Sequence, residues 1–84
     1  MKHRHRTETS LKTGLGAAIR RERSNLGISQ GELAERAGLH RTYVSDLERG
    51  SRNPSIDSIE KLARALHLSV AELFESAAEG NGEG

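Results

Sequence analysis

The chain has 84 residues, enough for one domain with a modest core and the thin stability margin that goes with that size. Only 33% of the residues are hydrophobic, and Met, Tyr and Phe occur once each, so short helices packed through Leu, Ile, Val and Ala fit the inventory and a sheet sandwich does not. There is no cysteine for a disulfide or a thiolate metal site, and no apolar run approaches the ~18 residues needed to cross a membrane.

The N-terminal stretch is polar and lacks the apolar run of a signal peptide, so a cytoplasmic protein is expected. The formal net charge is +1, but it is unevenly placed. Lys2 to Arg23 holds seven basic residues against Glu8 and Glu22, whereas from Glu72 onward there are four Glu and no base. Such a chain can present a basic face while staying near neutral overall.

Residues 1–12 carry the run Lys2-His3-Arg4-His5-Arg6, which has neither helical nor strand period and is expected to form a flexible basic arm. His3 and His5 lack a third ligand, so no metal site is expected. From Gly14 the pattern turns helical, with Leu15, Ile19 and Leu26 on one face and Arg20 and Arg21 on a solvated one, and Gly27 ends it. Ser29-Gln30-Gly31-Glu32 has the spacing of a capping box and opens a second helix that buries Leu33, Ala34 and Ala37. Gly31 inside that helix should cost about 1 kcal/mol relative to Ala.

Gly38 stops the second helix, and a third runs from about Arg41 to Arg49 with Val44 and Leu47 inward and Gly50 as terminator. His40, just before it, is a poor N-cap. Ser51-Arg52-Asn53-Pro54 reads as a turn, since Pro54 disfavours helical geometry at Asn53. Ser55 caps a fourth helix in which Ile56, Ile59, Leu62, Ala63 and Leu66 keep a 3.6-residue period. Ser69-Val70-Ala71-Glu72 is a second capping box and starts a short fifth helix. The expected organisation is an arm at 1–12, an all-α domain of about five helices at 13–76, and a disordered acidic tail at 77–84.

The informative stretch is Gln30 to Leu47. Two helices too short to stand alone meet at Gly38, Ala34 is small where they approach, and Val44 and Leu47 pin the second from beneath. That arrangement holds one helix proud of the surface, at a size that enters a DNA major groove. Nothing resembles a nucleophile–base set, a phosphate loop or paired carboxylates on one face, so an enzyme is not expected, nor is a cofactor.

Gln30-Gly31-Glu32-Leu33-Ala34, Gly38-Leu39, Tyr43-Val44-Ser45-Asp46-Leu47-Glu48-Arg49-Gly50 and Arg52-Asn53-Pro54-Ser55 together resemble the helix-turn-helix family of lambdoid phage repressors and Cro proteins, the XRE family. The resemblance covers roughly Leu15 to Phe74, and the segment from Arg41 to Ser55 is most similar to the controller proteins of restriction-modification systems, small dimers that set expression of their own operon. It implies a compact five-helix, lambda-repressor-like fold. It also implies a phosphate contact at Gln30 and base-edge positions at Arg41, Thr42, Ser45 and Asp46. Arg41 is chemically the best reader, because its fork pairs with guanine O6 and N7; Thr42 can pack on a thymine methyl. An acidic Asp46 beside DNA either accepts from a cytosine amino group or penalises wrong sites.

The resemblance also implies sugar-phosphate contacts at Tyr43, Arg49, Arg52 and Asn53, and a structural ion pair between Arg23 and Glu48 that ties the first helix to the third. One small domain rarely grips an operator tightly, so the late apolar residues Leu68, Val70, Leu73 and Phe74 are expected to form a dimer seam. A twofold dimer would set two recognition helices ~34 Å apart on double-stranded DNA. The resulting expectation is a dimeric, autoregulatory transcription regulator on a pseudopalindromic operator. Its alternatives are a toxin–antitoxin antitoxin or a protein-interaction module on the same scaffold, with a toxin or RNA polymerase as possible protein partner.

Overall fold

The computed structural model describes the backbone of residues 3–83 and the side-chain surroundings of residues 11–79. Five helices follow one another: α1 (His3–Leu26), α2 (Gln30–Ala37), α3 (Arg41–Glu48), α4 (Ile56–Ala65) and α5 (Val70–Glu83), with no strand among the described residues. α1 lies along α5 and against α3, while α2 packs on α3 and α4. The core they enclose is aliphatic, and Ile19, Leu33, Val44, Leu62 and Leu73 are its largest fully buried side chains. Each such burial contributes about 1.5–3 kcal/mol relative to exposure, which is how so few large residues hold the domain.

The helix starts follow from local chemistry. Ser29 Oγ accepts from Glu32 N at 3.0 Å, and Ser55 Oγ accepts from Ser58 N at 3.1 Å. At Ser69 the box is reciprocal: its hydroxyl accepts from Glu72 N at 3.0 Å while Ser69 N donates to Glu72 Oε1 at 2.8 Å. At Ser29 only the hydroxyl half of the box is made, because the Glu32 carboxylate pairs with Arg36 one turn on, at 2.8 Å. The second half of that motif is therefore corrected to an ordinary i,i+4 pair.

The stops share one device. At Gly38, with φ 71, Leu39 N donates to Ala34 O at 2.8 Å and Gly38 N to Glu35 O at 3.2 Å, closing α2 with the paired bonds of a left-handed C-terminal motif. The same two-bond closure ends α4, where His67 occupies the left-handed position at φ 64 and Leu68 N reaches Ala63 O at 2.8 Å.

Four expectations change. α1 is helical from His3, so the stretch read as an irregular arm continues the helix: it holds no Pro or Gly before Gly14, and extending a nucleated helix is cheap. The side chains of His3 and His5 lie outside the described ones. Leu26 is 39% exposed, and Ile28 takes its place in the core, because the chain reverses at Gly27 and swings the next residue inward. Ile56 is exposed as well, since the first residue of α4 projects past the edge of the bundle. Finally α5 extends well beyond Ser76, because Leu73 and Ala77, one turn apart, are both fully buried in the core.

Candidate nucleic-acid interface

The inner side of α3 is fixed three times over. Val44 and Leu47 are buried to 0% and 2% exposure. Gly16 of α1 meets the α3 backbone so closely that a Cβ there would stand 2.2 Å from the Leu47 carbonyl oxygen and 2.9 Å from that of Glu48. The third tie is polar. Arg23 Nε donates to Glu48 Oε2 at 2.6 Å and Arg23 Nη2 to Glu48 Oε1 at 3.0 Å, a two-pronged pair whose carboxylate side is nearly dry. Arg23 Nη1 also reaches the Ile28 carbonyl at 2.9 Å, and Gln30 Nε2 donates to Glu48 Oε1 at 2.9 Å. The hydrogen bonds that Arg23 donates to Glu48 raise its pKa above the ordinary arginine value, against the opposing effect of burial. One carboxylate thus joins α1, α2 and α3.

The outer side holds the polar residues. Arg41, Thr42 and Arg49 are exposed, while Ser45 and Asp46 are half-buried. At spacings of one, three, one and three residues along an α-helix they share one face. They line a single shallow concavity together with Gln30 of α2. Within it Arg49 Nη1 donates to Ser45 Oγ at 2.7 Å, and Arg49 Nη2 forms an ion pair with Asp46 Oδ1. An α-helix with its side chains is about 10–12 Å across, which matches the ~12 Å width of the B-DNA major groove. No side chain caps the N-terminus of α3 at His40.

Tyr43 and Arg52 flank this face as a unit, with the Arg52 guanidinium 5.0 Å from the centre of the Tyr43 ring. They line a neighbouring hollow with His40, Thr42 and Asp46. Asn53 is not part of either hollow. It lines a separate groove with Leu11, Pro54, Ile59 and Phe74, so the backbone-contact set splits into Gln30 and Arg49 beside the reading face, Tyr43 and Arg52 at its flank, and Asn53 apart.

Of the four residues read as a dimer seam, Leu73 is wholly buried in the monomer's own core and has no surface to give a partner. That placement corrects the seam: α5 turns Leu73 into the shared core, and the period that made the residue look available is the period of core packing. Leu68 and Phe74 are half-buried against the core, and Val70 is 37% exposed. Leu68 and Val70 line one groove with Glu60, Ala63 and Arg64.

Two residues of consequence escaped the sequence reading. Gly16 has no signal in a single sequence, since nothing along the chain announces which helix crosses another. Arg21 reads as part of a solvated face, yet its Nη2 donates to the Ser76 carbonyl at 2.7 Å and to the Ser76 hydroxyl, which in turn donates to Glu22 Oε2 at 3.0 Å. It latches α5 to α1 and is committed to the scaffold.

A helix-turn-helix family model matches residues 19–73. The control protein C.BamHI of Bacillus amyloliquefaciens is 48% identical over 65 residues, 77% of this chain and 78% of that protein. The clp gene regulator ClgR of Corynebacterium glutamicum has a similar structure, with a TM-score of 0.83 at 36% identity over 87% of this chain and 78% of that one. The restriction-modification controller protein C.Esp1396I, solved as a tetramer in complex with its natural 35 base-pair operator, gives a TM-score of 0.78 at 34% identity, covering 84% of this chain and 93% of its own.

Proposed function

This chain belongs to the helix-turn-helix family, and from that premise we propose that it is a sequence-specific DNA-binding transcription regulator of the controller or repressor type, acting as a dimer on a pseudopalindromic operator and setting its own expression. The observation that carries the reading is the single concavity that gathers Gln30, Arg41, Thr42, Ser45, Asp46 and Arg49 on the outward side of a helix whose inward side is immobilised. A groove-reading helix needs that combination: base discrimination requires polar side chains of the right reach, held in one register by a scaffold that does not give.

Arg41 is the proposed principal reader, with Thr42 and Ser45 beside it, while Gln30, Tyr43 and Arg52 set the helix against the phosphates. Asn53, away from both hollows, is assigned to the turn. For the dimer we retain Leu68, Val70 and Phe74, with Leu73 supporting them from beneath. The partners proposed are DNA and a second copy of the chain; we include neither a toxin nor RNA polymerase. No described helix is long and apolar enough to cross a membrane, and a cytoplasmic, non-enzymatic role follows from the same reading.

The test is Arg41→Ala. It should weaken binding to a duplex selected by the wild-type protein by about 1–3 kcal/mol and relax one base position in each half-site, while leaving the unfolding midpoint unchanged. Selection of an unaltered sequence by the variant would remove Arg41 from the reading face.

A further inference from the structure

We infer that Asp46 touches no base and is instead a positioning residue: it holds Arg49 over the concavity, so that Arg49 meets a base edge rather than a phosphate. The inference rests on the DNA-binding reading above and refines it at two residues. A carboxylate in the middle of a DNA-facing surface is repelled by phosphate unless something cancels it. Here the cancelling charge is already in place, since Asp46 and Arg49 are paired one turn apart on the same helix face.

The geometry uses Arg49 sparingly. Of its five N–H donors, one goes to Asp46 and one to Ser45 Oγ at 2.7 Å, leaving three for an outside acceptor. Two anchors on one planar group also fix its orientation, and orientation is what pairing with two acceptors of a purine edge demands. In the free protein the pair is exposed on the arginine side, at 62%, and such pairs stabilise little in water. Docking into a groove expels that water and strengthens the attraction, so the pair acts at the moment of recognition and contributes little to the fold. Without Asp46, Arg49 regains the freedom to reach any neighbouring phosphate.

The experiment is a double-mutant cycle on the full chain. A duplex is first selected by the wild-type protein from a random-sequence pool, and a scrambled duplex of equal length serves as reference. Wild type, Asp46→Ala, Arg49→Ala and the double variant are then titrated with both duplexes over a salt series, with unfolding midpoints recorded for each. Each single change should lower the ratio of selected to scrambled affinity about tenfold, and the double should be no worse than either single. Asp46→Ala should also steepen the log–log salt slope on the scrambled duplex by about 0.9, the mark of one new phosphate contact, and the added slope should vanish when Arg49 is also removed.

Two results would overturn the inference alone: additive losses in the double variant, or an Asp46→Ala protein that binds both duplexes equally tighter whether or not Arg49 is present, which is simple relief of repulsion. Failure of the wild-type protein to enrich any duplex is a different result, and it removes the DNA-binding reading together with this inference.

Discussion

The two sides of α3 are made by opposite means. Inward, the helix is clamped by Val44 and Leu47, by the backbone of α1 at Gly16, and by the bonds of Glu48 to Arg23 and Gln30. Outward, Arg41 and Thr42 are exposed, and the side-chain contacts of Ser45 and Asp46 are with Arg49, the residue that ends the helix. The inner side decides where the helix stands, and its parts cannot be exchanged without moving neighbouring helices. The outer side decides what the helix meets, and its parts can be replaced singly at little cost to folding. A reader of this kind can change its target without being rebuilt.

The largest expected effect comes from breaking the inner side where it has no slack. In Gly16→Ala the new methyl would collide with two carbonyl oxygens of α3, and backbone atoms cannot rotate away as a long side chain can. We expect a loss of about 3 kcal/mol or more, read as a lower urea midpoint with unchanged slope. A loss below about 1 kcal/mol would mean that α1 and α3 slide apart easily, and the contrast between the two sides would collapse.

Glu48→Gln is the next test. It keeps the shape of the side chain but removes the charge, leaving a half-buried guanidinium and the Gln30 amide with a weaker acceptor. About 2 kcal/mol of stability should go, more than for any single change on the outer side, because a half-buried ion left without its partner keeps its desolvation cost. The sign with pH follows from Arg23. Its folded-state pKa is raised, so the stability it supplies is fully present below the ordinary arginine value and is lost only in more alkaline solution. Denaturation between neutral pH and pH ~10 should therefore show no step attributable to Arg23.

Much of this architecture is written in short-range terms, and those were legible. The hydroxyl caps at Ser29, Ser55 and Ser69, the reversal at Gly38 and the inward pair Val44 and Leu47 depend on neighbours within one or two turns, so spacing alone reveals them. What stayed hidden depends on which segments meet in space. Gly16 looks like an indifferent small residue until α3 lies on it. Arg21 looks solvated until Ser76 arrives from the far end of the chain. Leu73 shows why the seam was overdrawn, since a late apolar helix face serves a core and a partner equally well on paper. The candidate site divides in the same manner. The outward positions of α3 follow from helical period and from the family resemblance, whereas the link between Asp46 and Arg49 needed side-chain geometry.

The smallest expected effect lies away from both sides and serves as their control. His67 sits in the left-handed region at φ 64 in the turn between α4 and α5, and the other left-handed positions among the described residues are all glycine. A side chain with Cβ costs about 1–2 kcal/mol in that conformation, and Gly removes the cost while adding some freedom to the unfolded chain. His67→Gly should therefore gain about 0.5–1 kcal/mol net, seen as a higher thermal midpoint. None of the reading-face residues lies in this turn, so affinity and salt slope on the selected duplex should not move. If stabilising this turn did change discrimination, the scaffold would be reaching through α3 to its outer face. The division of labour between the two sides would then be one of degree, set by how much the inner clamp yields.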